Sequence, residues 1–544
     1  MLLSLASELI QAISHELKSI EDVKSFRLTC KQTGQALASE VLRCITINIK
    51  EETFERELRK LQHLASASEG SSSRLMIQQV DIGSLSPALN PEEPCATAAA
   101  ETLEYYEEEL KKCLYNALSS LTTARTVKWI PAENDSEWAQ TAVMDALKTF
   151  PDLQSLSIQL ECCQIEIPFH FFTTLRHISV HCVNEEVHNP AHHGKTFKNL
   201  VKMISQSPLL ESIDFTNGKD YIQRNSLTRS LHQLFESYPE DGSLPPLRLK
   251  HLSVATCLVR LDDQTVIRHL RHLTSLSLDD LLGPLAPDYS EYPDEEEDPV
   301  SEDIFILEKQ NRWGSSYEQV WRTICSADLR LEEITLYDIP SAFLEYIGSY
   351  SGLKKLIIGT RRFRDRARSD SSARKFYEAL EIHAGSIEEL NVNAYYEDLW
   401  CFGEHNQVLF RTFTKLRTLS VKVHSSDLAR SSEQENLSRQ GIIVILIDIV
   451  VIYMPQLQAL SASVADLETH RNGMCGKCSE SHCLRYNQEI VAQVLKYKAP
   501  WGCKRLPTFT LSSPILGSRV FYCQSEEQLK KGERLRYDDI SPPE

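Results

Sequence analysis

A chain of 544 residues, 42% hydrophobic and 25% charged, has room for several ordinary domains or for one extended array. Its formal net charge of −18 disfavours phosphate backbones, which are held by clustered Lys and Arg, so nucleic acid is not expected as a partner. The opening MLLSLASELIQAI lacks a basic region and meets Glu8 early, so no secretory signal is expected, and the 15 cysteines read as thiols rather than as a disulfide framework.

From Leu5 to Ile47, apolar residues recur at Leu9, Ile13 and Leu17, then at Val23, Phe26 and Cys30, then at Leu37 and Val41. Steps of three and four place each set on one face of a short helix, and Ser19 with Asp22 is a partial capping box between the first two helices. Three helices this short bury little surface alone and are expected to lean on the rest of the chain or on another protein. The residue order resembles an F-box, the module that docks target-selecting proteins onto the Skp adaptor of cullin–RING ubiquitin ligases. The matching positions are Leu5, Ser7-Glu8-Leu9-Ile10, Ile13, Leu17, Asp22-Val23, the run Phe26-Arg27-Leu28-Thr29-Cys30-Lys31, and Val41-Leu42-Arg43. Ala6 stands where the family usually has a proline that presets entry to the first helix. The resemblance implies an adaptor-binding module over residues 1–48, with Leu5, Leu9, Ile13, Leu17, Val23, Phe26 and Leu28 at or just behind the Skp-facing surface. A helical cap on a repeat array is the alternative.

Further on, one phrase keeps returning: apolar, two polar, apolar, one polar, apolar. It begins at Leu153, Leu175, Leu210, Leu249, Leu273, Leu331, Leu353, Ile387, Leu416 and Leu457, with weaker copies at Leu42, Ile77 and Ala124. This is the strand portion of a leucine-rich repeat. Its alternation turns Leu156 and Ile158 inward, and Ser155, Ser157 and Gln159 outward. Helix-like segments lie between copies, at 139–150, 200–207, 227–238, 320–327, 374–384 and 441–454. Strand, helix and parallel strand make a right-handed crossover unit. The expected fold is therefore α/β, an N-terminal three-helix F-box followed by an irregular leucine-rich-repeat solenoid with a curved parallel sheet. Its divisions are 49–150, a linker and degenerate first repeats; 151–465, the solenoid; and 466–544, a C-terminal cap and tail with a Cys-rich loop. The combination resembles the F-box leucine-rich-repeat proteins, with the irregular spacing of their fungal members. That resemblance implies the substrate-recognition subunit of an SCF-type ligase, non-catalytic, with the repeats holding an unknown protein target. A leucine-rich interaction scaffold with no ligase role is the alternative.

Outward strand positions give the target-binding candidates. Small serines dominate them, which fits a solvated sheet face; the exceptions are Tyr337 with Glu333, and a possible cluster of His177, His181 and His251. The acidic run Asp288–Asp303 reads as a solvated loop, or as a site for a basic partner. The basic block Arg361-Arg362-Phe363-Arg364-Asp365-Arg366-Ala367-Arg368 reads as a surface loop leading into a helix at Arg374, with Arg361 and Arg362 as alternatives for an anionic target. The run GIIVILIDIVVIYM over 441–454 is too short to span a bilayer and is expected to be a buried helix. Cys475, Cys478 and Cys483 are a candidate zinc set, but His482 is adjacent to Cys483, which strains the geometry, so His470 or Cys503 is the better fourth ligand; free thiols on a loop are the plainer expectation. No phosphate-cradling loop, dinucleotide fingerprint, nucleophile elbow or HExxH is present, so neither catalysis nor a cofactor is expected. A soluble protein of the cytoplasm or nucleus is expected, without a membrane partner.

Overall fold

The computed structural model describes residues 7–15, 17, 20–66, 74–86, 96–182, 190–217, 230–239, 243–257, 259, 261, 264–279, 317–360, 363, 365–428, 441–471, 476–513, 517–523 and 534–539. The chain divides into two compact units, Met1–Cys257 with Asp263–Leu270, and Leu258–Asp262 with Arg271–Glu544.

The first unit opens with four short helices, α1 (Ser7–His15), α2 (Ile20–Arg27), α3 (Lys31–Ala36) and α4 (Ala38–Val41). Seven strands follow among the described residues: β1 (Cys44–Ile47), β2 (Gln79–Ile82), β3 (Thr126–Trp129), β4 (Ser155–Gln159), β5 (His177–His181), β6 (Ser212–Thr216) and β7 (His251–Ala255). Each pairs in parallel with the next, in chain order. The helices α5 (Phe54–Ser66), α6 (Ala96–Ser119), α7 (Glu137–Leu147) and α8 (Pro190–Gln206) lie on the crossovers. In the second unit β8 (Ser275–Asp279), β9 (Glu333–Leu336), β10 (Lys355–Gly359), β11 (Glu389–Asn393), β12 (Thr418–Val423), β13 (Ala459–Val464) and β14 (Thr508–Ser513) pair in parallel order. They are joined by α9 (Tyr317–Ser326), α10 (Ser341–Ile347), α11 (Arg366–Leu380), α12 (Ile442–Tyr453) and α13 (Gly476–Lys496). Two antiparallel strands finish the sheet, β15 (Gly517–Tyr522) and β16 (Asp538–Asp539). Serial parallel strands with a helix or turn on each return make a leucine-rich-repeat fold.

Every copy of the phrase becomes a rung, and the strand starts two residues after its first apolar position. The inner residues align across rungs: Leu156 pairs with Ile178, Ile213 follows Ile178, and Leu252 follows Ile213, all buried. The second unit repeats the row as Leu276, Ile334, Leu356, Leu390, Leu419, Leu460 and Phe509. The second residue of most phrases sets the register, because its carbonyl accepts two N–H groups of the next copy. Arg125 O takes Gln154 N and Ser155 N, and Glu332 O takes Lys354 N and Lys355 N. The weak copies at Leu42, Ile77 and Ala124 belong to this ladder as β1, β2 and β3, so residues 49–150 carry two rungs with the long helices α5 and α6.

Several local expectations change. The helix expected over 227–238 is a 3₁₀ segment, Leu231–Phe235, opened by a Ser230–Gln233 capping box. The helix expected from Arg374 begins at Arg366, because the Asp365 carboxylate accepts the Arg368 N–H at 2.7 Å and caps it; the last three residues of the basic block are thus helical rather than loop. Cys478, His482 and Cys483 lie on α13 rather than on a loop. The apolar run is α12, with Ile443, Leu446, Ile447 and Val450 buried and its one acid, Asp448, accepting the Tyr497 hydroxyl at 2.8 Å. No helix of the described residues is long and apolar enough to cross a membrane.

Candidate docking surfaces

The N-terminal helices build a small core of their own from Ile10, Val23, Ala36 and Leu37, with Leu17, Phe26 and Val41 packed against it. Polar contacts fix the helices to one another. Ser14 Oγ donates to Glu40 Oε2 at 2.5 Å, and Gln11 Nε2 donates to the Ala36 carbonyl at 3.3 Å. Cys30 caps α3: its sulfur accepts the Thr33 N–H, and the Thr33 hydroxyl accepts the Cys30 N–H. On α1 the face carrying Ile10 and Ser14 points inward, which turns Leu9 and Ile13, one turn apart, outward. Leu9 is 54% exposed, Ile13 40% and Leu28 84%. The seven residues implied by the resemblance therefore separate: Leu9, Ile13 and Leu28 on the surface, Val23, Leu17 and Phe26 behind it, and Leu5 outside the described residues. Leu17 follows the end of α1 and does not share its stripe.

On the outward face of the first unit's sheet the three histidines do not form one cluster. His177 and His251 lie on either side of Ser212, two strands apart, whereas His181 is at the far end of its strand beside Thr216. There it joins a polar knot. Ser179 Oγ lies 2.8 Å from His181 Nε2 and donates to Asp214 Oδ2 at 3.0 Å, while His181 Nδ1 lies 3.1 Å from the Thr216 hydroxyl. Ser179 and Asp214 both meet the Nε2 side of the ring, so the group lacks the relay of a hydrolytic triad, in which the acid holds Nδ1. Burial lowers the His177 pKa.

In the second unit Glu333 and Tyr337 also part, at opposite ends of β9. Glu333 lies beside Lys355, which pairs with Glu389 at 3.0 Å. Tyr337, 39% exposed, rests on Gly359 of the next strand; a Cβ at Gly359 would meet Tyr337 Cδ1 at 2.5 Å. Burial against this rung raises the Tyr337 pKa, with the charge of Asp279 adding to it. Arg361 and Arg362 lie outside the described residues, as does Cys475 of the zinc candidates. Cys478 is exposed and Cys483 half-buried on α13; among the described residues no group of three or more His, Cys, Asp or Glu is placed to hold a metal.

One assembly was not foreseen. At the carboxyl ends of β11 to β13, Arg471 Nη2 meets Asp398 Oδ2 at 2.9 Å with both side chains buried, and the same guanidinium binds Glu468 at 2.8 Å through Nε and through Nη2. Asp398 also accepts the Ser369 hydroxyl at 2.7 Å, and Arg471 stacks over the Tyr396 ring. Alongside, Asp466 accepts His470 Nδ1 at 2.6 Å and the Ser479 hydroxyl at 2.8 Å. Burial would raise the Glu397 carboxyl, but hydrogen bonds from His482 and Ser425 outweigh it and hold it below the usual carboxylate value. The only sequence trace of this network is its density of charge in Glu397-Asp398 and Glu468-Thr469-His470-Arg471, which matches any solvated loop.

No family profile matches the chain, and no curated protein matches it. Among solved structures it is similar to the TLR13–ssRNA13 complex, at 12% identity over 72% of this chain and 58% of that one, with a TM-score of 0.21. It is also similar to an internalin, InlF, from Listeria monocytogenes, at 12% identity over 84% of this chain and 91% of that one, with a TM-score of 0.22. This chain spans less than two thirds of the TLR13 chain. The leucine-rich-repeat assignment stands on the strand order and register.

Proposed function

We propose that the protein is the substrate-recognition subunit of an SCF-type cullin–RING ubiquitin ligase, in which the N-terminal helices bind a Skp-type adaptor and the repeats hold the target. The observation that carries this is the outward placement of Leu9, Ile13 and Leu28 on a bundle whose core is already closed by Ile10, Val23 and Leu37. Leu9 and Ile13, one turn apart on α1, leave adjacent apolar surface, which supports a docking role for this face. The chemistry lies in other subunits; this chain contributes proximity and orientation. Tyr337 on its glycine platform is the preferred contact for the target, since tyrosine combines area with low entropic cost at interfaces.

The test is co-purification of the full chain with a Skp-type adaptor. The natural chain is expected to form a one-to-one complex, and Leu9→Asp with Ile13→Asp to weaken it by about 100-fold or more, as loss of two apolar anchors does. Both positions are surface-exposed, so the thermal midpoint of the double variant is expected to stay within a degree or two of the natural chain. Failure of the natural, folded chain to bind would leave the scaffold reading, in which the helices only cap the repeats.

A further inference from the structure

Trp501 is 75% exposed, whereas Trp129, Trp321 and Trp400 are fully buried. It stands on a turn between α13 and β14. The Cys503 N–H donates to the Pro500 carbonyl at 3.2 Å, and Gly502 takes a φ of +87°, the geometry of a type II turn with glycine as its third residue. The C-terminal segment braces this turn. Arg534 Nε donates to the Ala499 carbonyl at 2.7 Å and Nη2 to the Lys498 carbonyl at 2.9 Å, and the guanidinium lies 5.9 Å from the centre of the Trp501 ring. The Ala499 N–H completes the contact by donating to the Leu535 carbonyl at 2.9 Å. A large apolar ring is thus held out into water on a fixed backbone.

The surroundings are basic in an acidic chain. Asp and Glu make up 76 of the 544 residues, yet none occurs between Glu489 and Glu526. Lys496, Lys498, Lys504 and Arg505 flank the turn and are all exposed, and none of the four forms an ion pair among the described residues. Exposed cations of the repeats do pair across rungs: Lys250 with Glu211, Lys354 with Glu332, and Arg417 with Glu388. On β16, Asp538 and Asp539 are held by Arg536 and Arg519.

We propose that the Trp501 turn is the docking point for a short acidic segment of a partner protein, with the Trp501 ring as apolar anchor and Lys498, Lys504 and Arg505 meeting the carboxylates. A tryptophan ringed by charged side chains has the make-up of an interface hot spot and its polar rim. The Arg534 bonds fix the backbone beforehand, so little ordering is left to oppose binding. Charge selects the partner. The patch is positive only locally, and a net charge of −18 repels the whole molecule from an extended anionic surface such as a membrane or a nucleic acid. A segment with a few carboxylates engages the patch alone, because charges beyond a Debye length of about 10 Å are screened. The surface does not depend on the ligase assignment.

The test uses the full chain, with synthetic oligoglutamate as probe and oligoglutamine as its neutral counterpart. Oligoglutamate is expected to reduce acrylamide quenching of the natural chain's tryptophan fluorescence, and oligoglutamine to leave it unchanged. The reduction is expected to be absent in Trp501→Phe, which assigns it to this ring. Anisotropy of labelled oligoglutamate then gives the affinity. Trp501→Ala is expected to weaken it about tenfold, and Lys504→Glu with Arg505→Glu by about tenfold or more. Lys202→Glu, a reversal at an exposed cation of α8, is expected to change it less than about twofold. The altered side chains are exposed, so the variants are expected to keep the natural thermal midpoint. Should the double reversal fail to fold, Lys504→Gln with Arg505→Gln takes its place. No binding of oligoglutamate, binding undiminished by Trp501→Ala or by the folded charge variants, or tighter binding to phosphatidylserine vesicles or to a single-stranded oligonucleotide of equal charge would overturn the proposal.

Discussion

His269 and His383 serve as backbone caps inside two crossovers. His269 Nδ1 accepts the Leu247 N–H at 2.9 Å; His383 Nδ1 accepts the Leu353 N–H at 3.2 Å, and its Nε2 donates to the Ile347 carbonyl at 2.8 Å. Accepting at Nδ1 requires the neutral ring, and burial lowers both pKa values, that of His269 from 6.5 to about 4. Between those two values the unfolded chain binds a proton that the folded chain refuses. The stabilisation is therefore intact above about pH 6.5 and is lost as pH falls toward 4, by up to about 3 kcal/mol for His269. Urea melts of the natural chain and of His269→Asn at pH 7 and pH 5 are expected to show a smaller loss on acidification in the variant. Arg471 is a second residue with a large expected effect. Arg471→Met strands the buried Asp398 carboxylate and is expected to cost about 3–5 kcal/mol in the same melts. The methyl-capped side chain replaces the stacking over Tyr396 but none of the charge-assisted bonds.

At the scale of the element, the phrase of apolar and polar residues was legible because the strand is short and its period is strict. Thirteen copies became rungs even where Ile or Ala replaced the leading leucine. A fourteenth went unread: Leu506-Pro-Thr-Phe509-Thr-Leu511 has Phe in the central slot, yet Phe509 takes the same buried position beside Leu460. A further signal lay three residues upstream, where Phe150, Phe172, Tyr350, Phe413 and Met454 are buried ahead of their phrases. The crossovers were less legible, since a helix covering a sheet needs only one apolar stripe and its ends depend on caps such as Asp365. On α1 the periodic stripe Leu9 and Ile13 was visible, but periodicity does not say whether a stripe is buried or exposed; the inward turn of Ile10 and Ser14 leaves it exposed. The candidate docking faces were legible only in part for the same reason. Residues two strands apart, such as His177 and His251, look clustered in a list of outward positions and are separated by the width of Ser212's strand. The Asp398–Arg471 pair joins residues 73 apart in sequence through two loops, which no local pattern specifies.

At the scale of the molecule, each compact unit gains its stability rung by rung, because strands pair with their sequence neighbours. Protection should then follow how completely a rung is sandwiched. Amides of β4 to β6 and of β10 to β12, with buried inner rows and a neighbour on both sides, are expected to exchange slowest. Those of α1 to α4, whose core is four residues, are expected to exchange faster by about two orders of magnitude or more, as local opening of a small bundle allows. Hydrogen exchange read by mass spectrometry checks this; equal protection across α1 and β5 would count against it.

The reversal at β15 has a consequence for growth. A parallel ladder contains no instruction to stop, and its last strand presents the same donors and acceptors that recruited it, which is how head-to-tail filaments begin. Because β15 runs antiparallel to β14, a strand arriving from another chain in the polarity of the repeats meets a hydrogen-bond pattern of the opposite sense. The two residues of β16 cover part of what is left, at Phe521 and Tyr522. The hairpin thus gives the sheet an edge of opposite polarity to its repeats, and its removal would leave β14 as an unpaired edge in the repeats' own polarity.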